Sequence, residues 1–315
     1  MANTETAAPK LPIIDLRGLI FGTSSWISTC KEIRSALEEY GCFVALSDIV
    51  SDDLEVDVLN CLKDLFSLPS EIKSKNISDK PFHGYFGRRP LSPLLESLGI
   101  ENTNYLQSVQ DFAALMWPQG NHPFCENIHK YGNATIGLAE MVTRMLFDSY
   151  GIEKKQCEAH IESMNTVLRM LEYIPPKTCE AEVGSSAHTD KSFLTVLHQC
   201  QTSGLEVETK TGVSLSVDFP PSSFLIIAGE ACQGWSNGRV HSAVHGVKME
   251  PTIDQMRYSL ALFVYAKRTI EVAKEFIDDE HPMLFKPFNN YELLRFYTKD
   301  PIKRKIKNIE EFCGV

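Results

Sequence analysis

The chain has 315 residues, 43% of them hydrophobic, with a formal net charge of -10. That charge disfavours nucleic acid as a partner, because contacts to a phosphate backbone need clustered Lys and Arg. Mean hydropathy is -0.15, no apolar run reaches the ~20 residues needed to cross a bilayer, and the polar stretch 1–10 lacks a signal-peptide core.

In chain order, residues 11–16 read as a short strand, 25–40 as a helix with apolar spacing at Ile27, Ile33, Ala36 and Leu37, and 42–46 as a second strand. An amphipathic helix is expected over 54–68, with Val56, Leu59, Leu62 and Phe66 toward the core. Residues 76–108 hold Gly, Pro and Ser with little periodicity, which predicts a long loop shaping a pocket. The segment around Phe112 and Trp117 reads as strand-like. A long helix over 122–150, striped by Ile128, Ile136, Leu138, Met141 and Leu146, precedes a shorter one over 153–164. From 165 to about 270 the chain turns strand-rich, punctuated at Gly204, Lys210-Thr211-Gly212, Pro220-Pro221 and Asn237-Gly238. The basic run Lys303-Arg304-Lys305 with Lys307 is followed by Glu310 and Glu311, so it reads as a solvated tail. The nine cysteines include no Cys-x-x-Cys pair and are expected to be reduced, mostly buried thiols in a cytoplasmic protein.

Chemistry concentrates in the strand-rich part. His188-Thr189-Asp190 precedes the apolar run 193–197, which places both side chains at the entrance of a strand. At spacing i, i+2 an extended backbone puts them on one face, ~6.6 Å apart along the chain, within reach of one ion. His160-Ile161-Glu162 has the same spacing on an expected helix, where the two side chains diverge. A third ligand can come from His241 or His245. On a strand these lie ~13 Å apart, so only one can join, and the residues themselves do not choose. Two imidazoles and one carboxylate hold a non-haem iron on one side and leave the other open.

Residues 257–267 alternate. Arg257, Ser259, Ala261, Phe263 and Tyr265 share one face, and Tyr258, Leu260, Leu262 and Val264 share the other. An interior arginine is costly unless an anion pairs with it, and an anionic ligand would resolve that cost. The alternative is an edge strand with Arg257 in solvent.

In this order the residues resemble the plant 2-oxoglutarate- and iron-dependent dioxygenases, over nearly the whole chain. The resemblance is carried by His188-Thr189-Asp190, Leu194-Thr195, Gly204-Leu205-Glu206-Val207, Ser236-Asn237-Gly238 and Arg257-x-Ser259. Residues 11–16, Tyr40-Gly41-Cys42-Phe43, His83-Gly84-Tyr85, Leu115-Met116-Trp117-Pro118 and Phe312-Cys313-Gly314-Val315 are similar to the branch holding glucosinolate side-chain dioxygenases, auxin oxidases and deoxypodophyllotoxin synthase. Two positions depart from the family pattern: its Asn-x-Tyr stands as Leu171-Glu172-Tyr173, and the Arg after the distal histidine is Gly246. The intact carboxylate at Asp190 argues against the halogenating relatives.

The resemblance implies an α+β fold, a double-stranded β-helix (jelly-roll) core with an N-terminal helical layer. Residues 1–164 are assigned to the mostly helical region with short strands, 165–275 to the jelly-roll core, and 276–315 to a helical and loop tail packed on it. It implies Fe(II) on His188, Asp190 and His245 rather than His241. It further implies 2-oxoglutarate held by Arg257 and Ser259 with Tyr173 as a further donor, O2 as oxidant and ascorbate as reductant. Phe263, Tyr265 and Arg169, with Phe112 and Trp117, are the candidate substrate contacts. The expected partner is a small molecule, the expected state a monomer, and the expected reaction hydroxylation, desaturation, ring closure or demethylation of a plant metabolite. Two rivals use the same residues: a metal-dependent hydrolase, which leaves Arg257 and Ser259 without a task, and a catalytically silent jelly-roll binding protein.

Overall fold

The first third of the chain alternates short strands with helices capped by their own sequence. The structure, a computed structural model, describes residues 10–90, 92–177, 182–200, 202–250, 254–299 and 308–315; the basic run at 303–307 lies outside them. Strand β1 (Ile13–Asp15) leads to helix α1 (Ser24–Glu39), β2 (Cys42–Leu46), α2 (Asp52–Ser67), α3 (Ser70–Lys73) and β3 (Leu95–Glu101). Thr23 and Ser51 cap α1 and α2 by accepting from Trp26 N and Leu54 N, and three acidic residues in the first turn of α2 favour its positive end. Then come α4 (Leu106–Met116), α5 (His122–Ser149) and α6 (Lys154–Glu162).

From β4 (Met164–Tyr173) the chain is mainly strand: β5 (Glu182–His188), β6 (Leu194–Cys200), β7 (Leu205–Glu208), β8 (Ser214–Ser216), β9 (Ser223–Ala228), the short helix α7 (Glu230–Trp235), β10 (Val244–Met249) and β11 (Arg257–Ala266). Helices α8 (Asn290–Thr298) and α9 (Ile309–Cys313) follow. The strands form a seven-stranded sheet, β1-β2-β9-β6-β11-β4-β3, and a four-stranded sheet, β5-β10-β7-β8. Together they make the jelly roll. Strands from 13–101 lie in the same large sheet as strands of the core.

The two faces of the large sheet have different tasks. One packs through Leu260, Leu262 and Val264 of β11 against α1, α2, α4 and α5, which supply Ile33, Leu37, Leu62, Phe112 and Leu146 to one apolar cluster. The other faces the barrel interior, where Val207, Leu225, Ile227 and Val247 form a smaller cluster.

Several expectations needed correction. Residues 76–108 are not one loop: β3 pairs with β4 from Leu95↔Tyr173 to Glu101↔Val167. The strand-like segment around Phe112 is the helix α4, with Val109, Phe112, Ala113 and Met116 buried along one stripe. Val56 and Ile27 point to solvent, at 57% and 52% exposure, because α2 and α1 are covered on one side only. The eight described cysteines are free and buried. Among the described residues no helix is long and apolar enough to cross a membrane.

Candidate active site

His188 closes β5, and His245 is the second residue of β10, directly opposite it in the ladder. Their ring centroids are 4.5 Å apart. Asp190 is not in the same strand as His188, as the spacing suggested. The strand ends at His188, and Asp190 sits in the turn before β6 begins at Leu194. The turn still brings Asp190 Oδ1 to 3.7 Å from Nε2 of each histidine. One ligand atom from each residue lies within 4.8 Å of the others, and among the described residues this is the group able to hold a metal.

The hydrogen bonds divide the ligand atoms as metal binding requires. Nδ1 of His188 faces Ser186 O at 2.8 Å and Nδ1 of His245 faces Ala243 O at 3.1 Å. A carbonyl can only accept, so each Nδ1 carries the proton and each Nε2 presents its lone pair inward. Burial, then the neighbouring His245, hold the His188 imidazole below its usual range and keep it neutral. Thr195 Oγ donates to Asp190 Oδ2 at 2.6 Å, leaving Oδ1 turned toward the histidines. This donor set, two imidazoles with Nε2 turned inward and one carboxylate with a free side, fits Fe(II). His241 lies ahead of β10, half-buried, with its backbone N–H on Leu37 O at 3.0 Å, and takes no part in the cluster.

Arg257 lies on the interior face of β11, a strand between β6 and β4, so the edge-strand alternative does not hold. It is 1% exposed. Its Nη2 donates to Gln199 Oε1 at 2.7 Å, Nη1 lies 3.4 Å from Ser259 Oγ, and the guanidinium carbon is 4.8 Å from the centre of the Tyr173 ring. Its Nε is buried without a partner, and no carboxylate among the described residues pairs with it. A buried cation in that condition is suited to an anion that arrives from solution. Gln199, which sequence reasoning missed, shares β6 alternation with Thr195, and that alternation was the available signal.

Phe263 and Tyr265 continue the same face, their rings stacked with centroids 6.4 Å apart. Tyr265 also packs on His83 and Tyr291 at 5.4 and 5.5 Å. Burial raises its phenol, and the charge of Asp190 adds to the rise, so Tyr265 lies within the field of the triad. Arg169 is buried on β4, where its guanidinium donates to Phe82 O, Gly84 O and Ser97 Oγ. Burial lowers it to about 10. Phe112 and Trp117 are not brought to this site: both pack on Phe124 of α5, at 5.7 and 4.9 Å, in the helical layer across the sheet. A surface cleft of about 310 Å³ beside Phe21, Trp26 and Arg144 belongs to that layer, and no triad residue lines it.

Fold and site together define a jelly-roll protein with a two-histidine, one-carboxylate metal centre. Residues 165–265 match the 2OG-Fe(II) oxygenase superfamily, and residues 11–103 match the family described as non-haem dioxygenase in morphine synthesis N-terminal. The probable 2-oxoglutarate-dependent dioxygenase AOP1.2 of Arabidopsis thaliana is 38% identical over 301 residues, covering 92% of each chain. The Arabidopsis dioxygenase AOP3 is 29% identical over 98% of each chain. Among solved structures, the dioxygenase for auxin oxidation in rice superposes with a TM-score of 0.82 at 26% identity, over 97% of this chain and 100% of that one. The 2-oxoglutarate complex of dioxygenase for auxin oxidation 1 from Arabidopsis thaliana gives 0.78 at 29%, over 86% and 99%. The chain belongs to the 2-oxoglutarate- and Fe(II)-dependent oxygenase superfamily, and its activity is that of a 2-oxoglutarate-dependent dioxygenase.

Proposed function

We propose that this dioxygenase oxidises a small, acidic or hydroxylated aromatic plant metabolite, and that Arg257 and Ser259, with Tyr173, hold the distal carboxylate of 2-oxoglutarate. The observation that carries the reading is one barrel interior that receives a three-ligand centre from β5, β10 and the turn before β6 and, from β11 of the other sheet, a buried arginine without a carboxylate partner among the described residues. When bound, Fe(II) with 2-oxoglutarate supplies the activation of O2 that oxidises an unactivated C–H bond. The chain's own residues bind, orient and exclude water. His188 and His245 offer Nε2, Thr195 keeps Asp190 Oδ1 free, and the Arg257 fork sets the direction of the co-substrate. The departure at Leu171 removes an amide from the row holding Ser259 and Ser97, which leaves Ser259, Tyr173 and Gln199 as polar neighbours of Arg257.

Phe263 and Tyr265 wall the substrate side, and the charge of Arg169, without a carboxylate partner among the described residues, favours an acidic group nearby. Relatives described as dioxygenases for auxin oxidation make an indole-type acid a first candidate, with phenylpropanoid-derived compounds next. Eight free, buried cysteines support a cytoplasmic setting, and a monomer with ascorbate as reductant completes the proposal. An Arabidopsis relative described as probable inactive AOP2 keeps the silent alternative in view, against which the ligand set of this chain is complete.

Adding Fe(II) and 2-oxoglutarate without oxygen should give a weak visible charge-transfer band. It should vanish in Asp190→Ala and His245→Ala and persist in His241→Ala. A band that survives His245→Ala overturns the ligand assignment. Succinate release stimulated by members of a plant-metabolite pool would then identify the substrate, and oxygen-independent hydrolysis would favour the hydrolase.

A further inference from the structure

The turn that carries Asp190 is fixed by an ion pair with no direct part in binding metal or co-substrate. Lys191 Nζ lies 2.6 Å from Glu230 Oε1, and both side chains are 3% exposed. The same Glu230 oxygen accepts from Thr189 Oγ at 2.5 Å, and Lys191 Nζ also donates to Thr189 Oγ at 2.8 Å. The backbone N–H of Glu230 donates to Asp190 O at 2.8 Å. Thus the residue before the ligand, the ligand's own carbonyl and the residue after it are all tied to Glu230. From the other side, Asn290 Nδ2 donates to Lys191 O at 2.5 Å, and Lys191 Nζ sits 4.2 Å from the centre of the Tyr297 ring. Gly229 permits this closeness, since a Cβ there would meet Ser192 O at 2.0 Å.

Stability alone is a poor account of such a pair. Removing a lysine and a glutamate from water costs several kcal/mol each, and an apolar pair of similar volume is often as stable or more so. Here Glu230 Oε2 is buried without a hydrogen-bond partner, so the pair is not even fully satisfied. What charged, directional bonds add over apolar contact is a single orientation of the turn.

We infer that Lys191 and Glu230 are positioning residues, which act through Thr189 and the Asp190 backbone to aim the Asp190 carboxylate at the metal. The inference rests on His188, Asp190 and His245 being the iron ligands. The test uses Fe(II) alone, titrated anaerobically into the metal-free full chain by calorimetry, beside urea unfolding of the same samples. The double variant Lys191→Met/Glu230→Leu should unfold near the wild-type midpoint yet bind Fe(II) about 10- to 100-fold more weakly, the range for losing an outer-shell partner. Lys191→Arg, which keeps the ion pair, should stay within a few-fold of wild type. A folded double variant with wild-type Fe(II) affinity overturns the inference. So does a collapse of its unfolding midpoint, because the pair would then hold the fold and not the turn. Failure of the wild-type chain itself to bind Fe(II) is a separate result that sinks the metal-site reading beneath it.

Discussion

The two faces of the seven-stranded sheet both bury charge, and they treat it in opposite ways. On the helix-covered side, beside Tyr258, Lys73 pairs with Glu96 at 2.9 Å, and Arg88 bridges Glu96 at 3.3 Å and Glu172 at 2.9 Å. Tyr85 and Tyr258 donate to the same carboxylates at 2.6 and 3.2 Å. Two cations meet two anions, and the cluster is closed. On the barrel side, Arg257 and Arg169 are buried and, among the described residues, have only carbonyl, amide, hydroxyl and ring partners. A charge network complete within the chain belongs to structure, whereas one left open toward the interior that the iron ligands of the smaller sheet also enter awaits a ligand.

Substitutions with opposite readouts can break this contrast. Arg257→Leu should weaken 2-oxoglutarate binding by about 100-fold, the loss of a charge-assisted two-pronged contact of about 3 kcal/mol. It should change the urea-measured stability of the ligand-free chain by less than about 1 kcal/mol, since no ion pair is broken. Lys73→Met should do the reverse, lowering stability by about 3 kcal/mol by taking the nearest cation from buried Glu96, which keeps only Arg88 at 3.3 Å and the Tyr85 hydroxyl, while leaving 2-oxoglutarate affinity unchanged. If Lys73→Met weakens co-substrate binding as much as Arg257→Leu does, the two faces are not functionally separate.

Most of the barrel side was legible in the sequence, and little of the closed network was. The alternation from Arg257 to Tyr265 could be read because a strand writes its two faces into successive residues. His188 and Asp190 were readable as a pair through their local spacing, although a turn, not a strand, brings them together. Choosing His245 over His241 needed the family resemblance, because both precede or enter the same strand. Lys73, Arg88 and Glu96 lie in or just before a Gly- and Pro-rich stretch whose strand β3 has no clear periodicity, and Glu172, distant in the chain, joins them only through the pairing of β3 with β4. Phe112 was misread for a different reason: Val109, Phe112, Ala113 and Met116 have helical spacing, which a local impression of apolar residues overrode.

A titratable group sharpens the same contrast on the closed side. His198 of β6 faces the helices, 5% exposed, with its ring beside Tyr131 and Phe224. Burial lowers it to about 4 from 6.5. The unfolded chain therefore takes up this proton first as pH falls, so stability is fully present above about 6.5 and is lost between there and 4. From pH 7.5 to 5.0 the loss from this group is about 2 kcal/mol. His198→Phe should flatten the pH dependence of urea unfolding by that amount, and an equal slope in the variant would show that His198 takes up its proton in the fold as readily as in the unfolded chain.

The smallest effect expected is at Gly246, where the family pattern has an arginine. The pairing of β10 with β5 slips between His245 and Val247, and a Cβ on Gly246 would lie 2.9 Å from Ser185 O and 3.3 Å from the backbone of Ala187. Alanine there must push β5 aside, and β5 ends in His188. Replacing glycine lowers the entropy of the unfolded chain and favours folding by about 0.4–1 kcal/mol, while overpacking costs about 1–3 kcal/mol. The cost outweighs the gain, so Gly246→Ala should lower stability by about 1–2 kcal/mol. Because the displaced strand carries an iron ligand, the change should show more clearly as a few-fold loss of Fe(II) affinity. A variant that melts higher and binds Fe(II) unchanged would mean the bulge has room, and that the departure at Gly246 has no bearing on the metal centre.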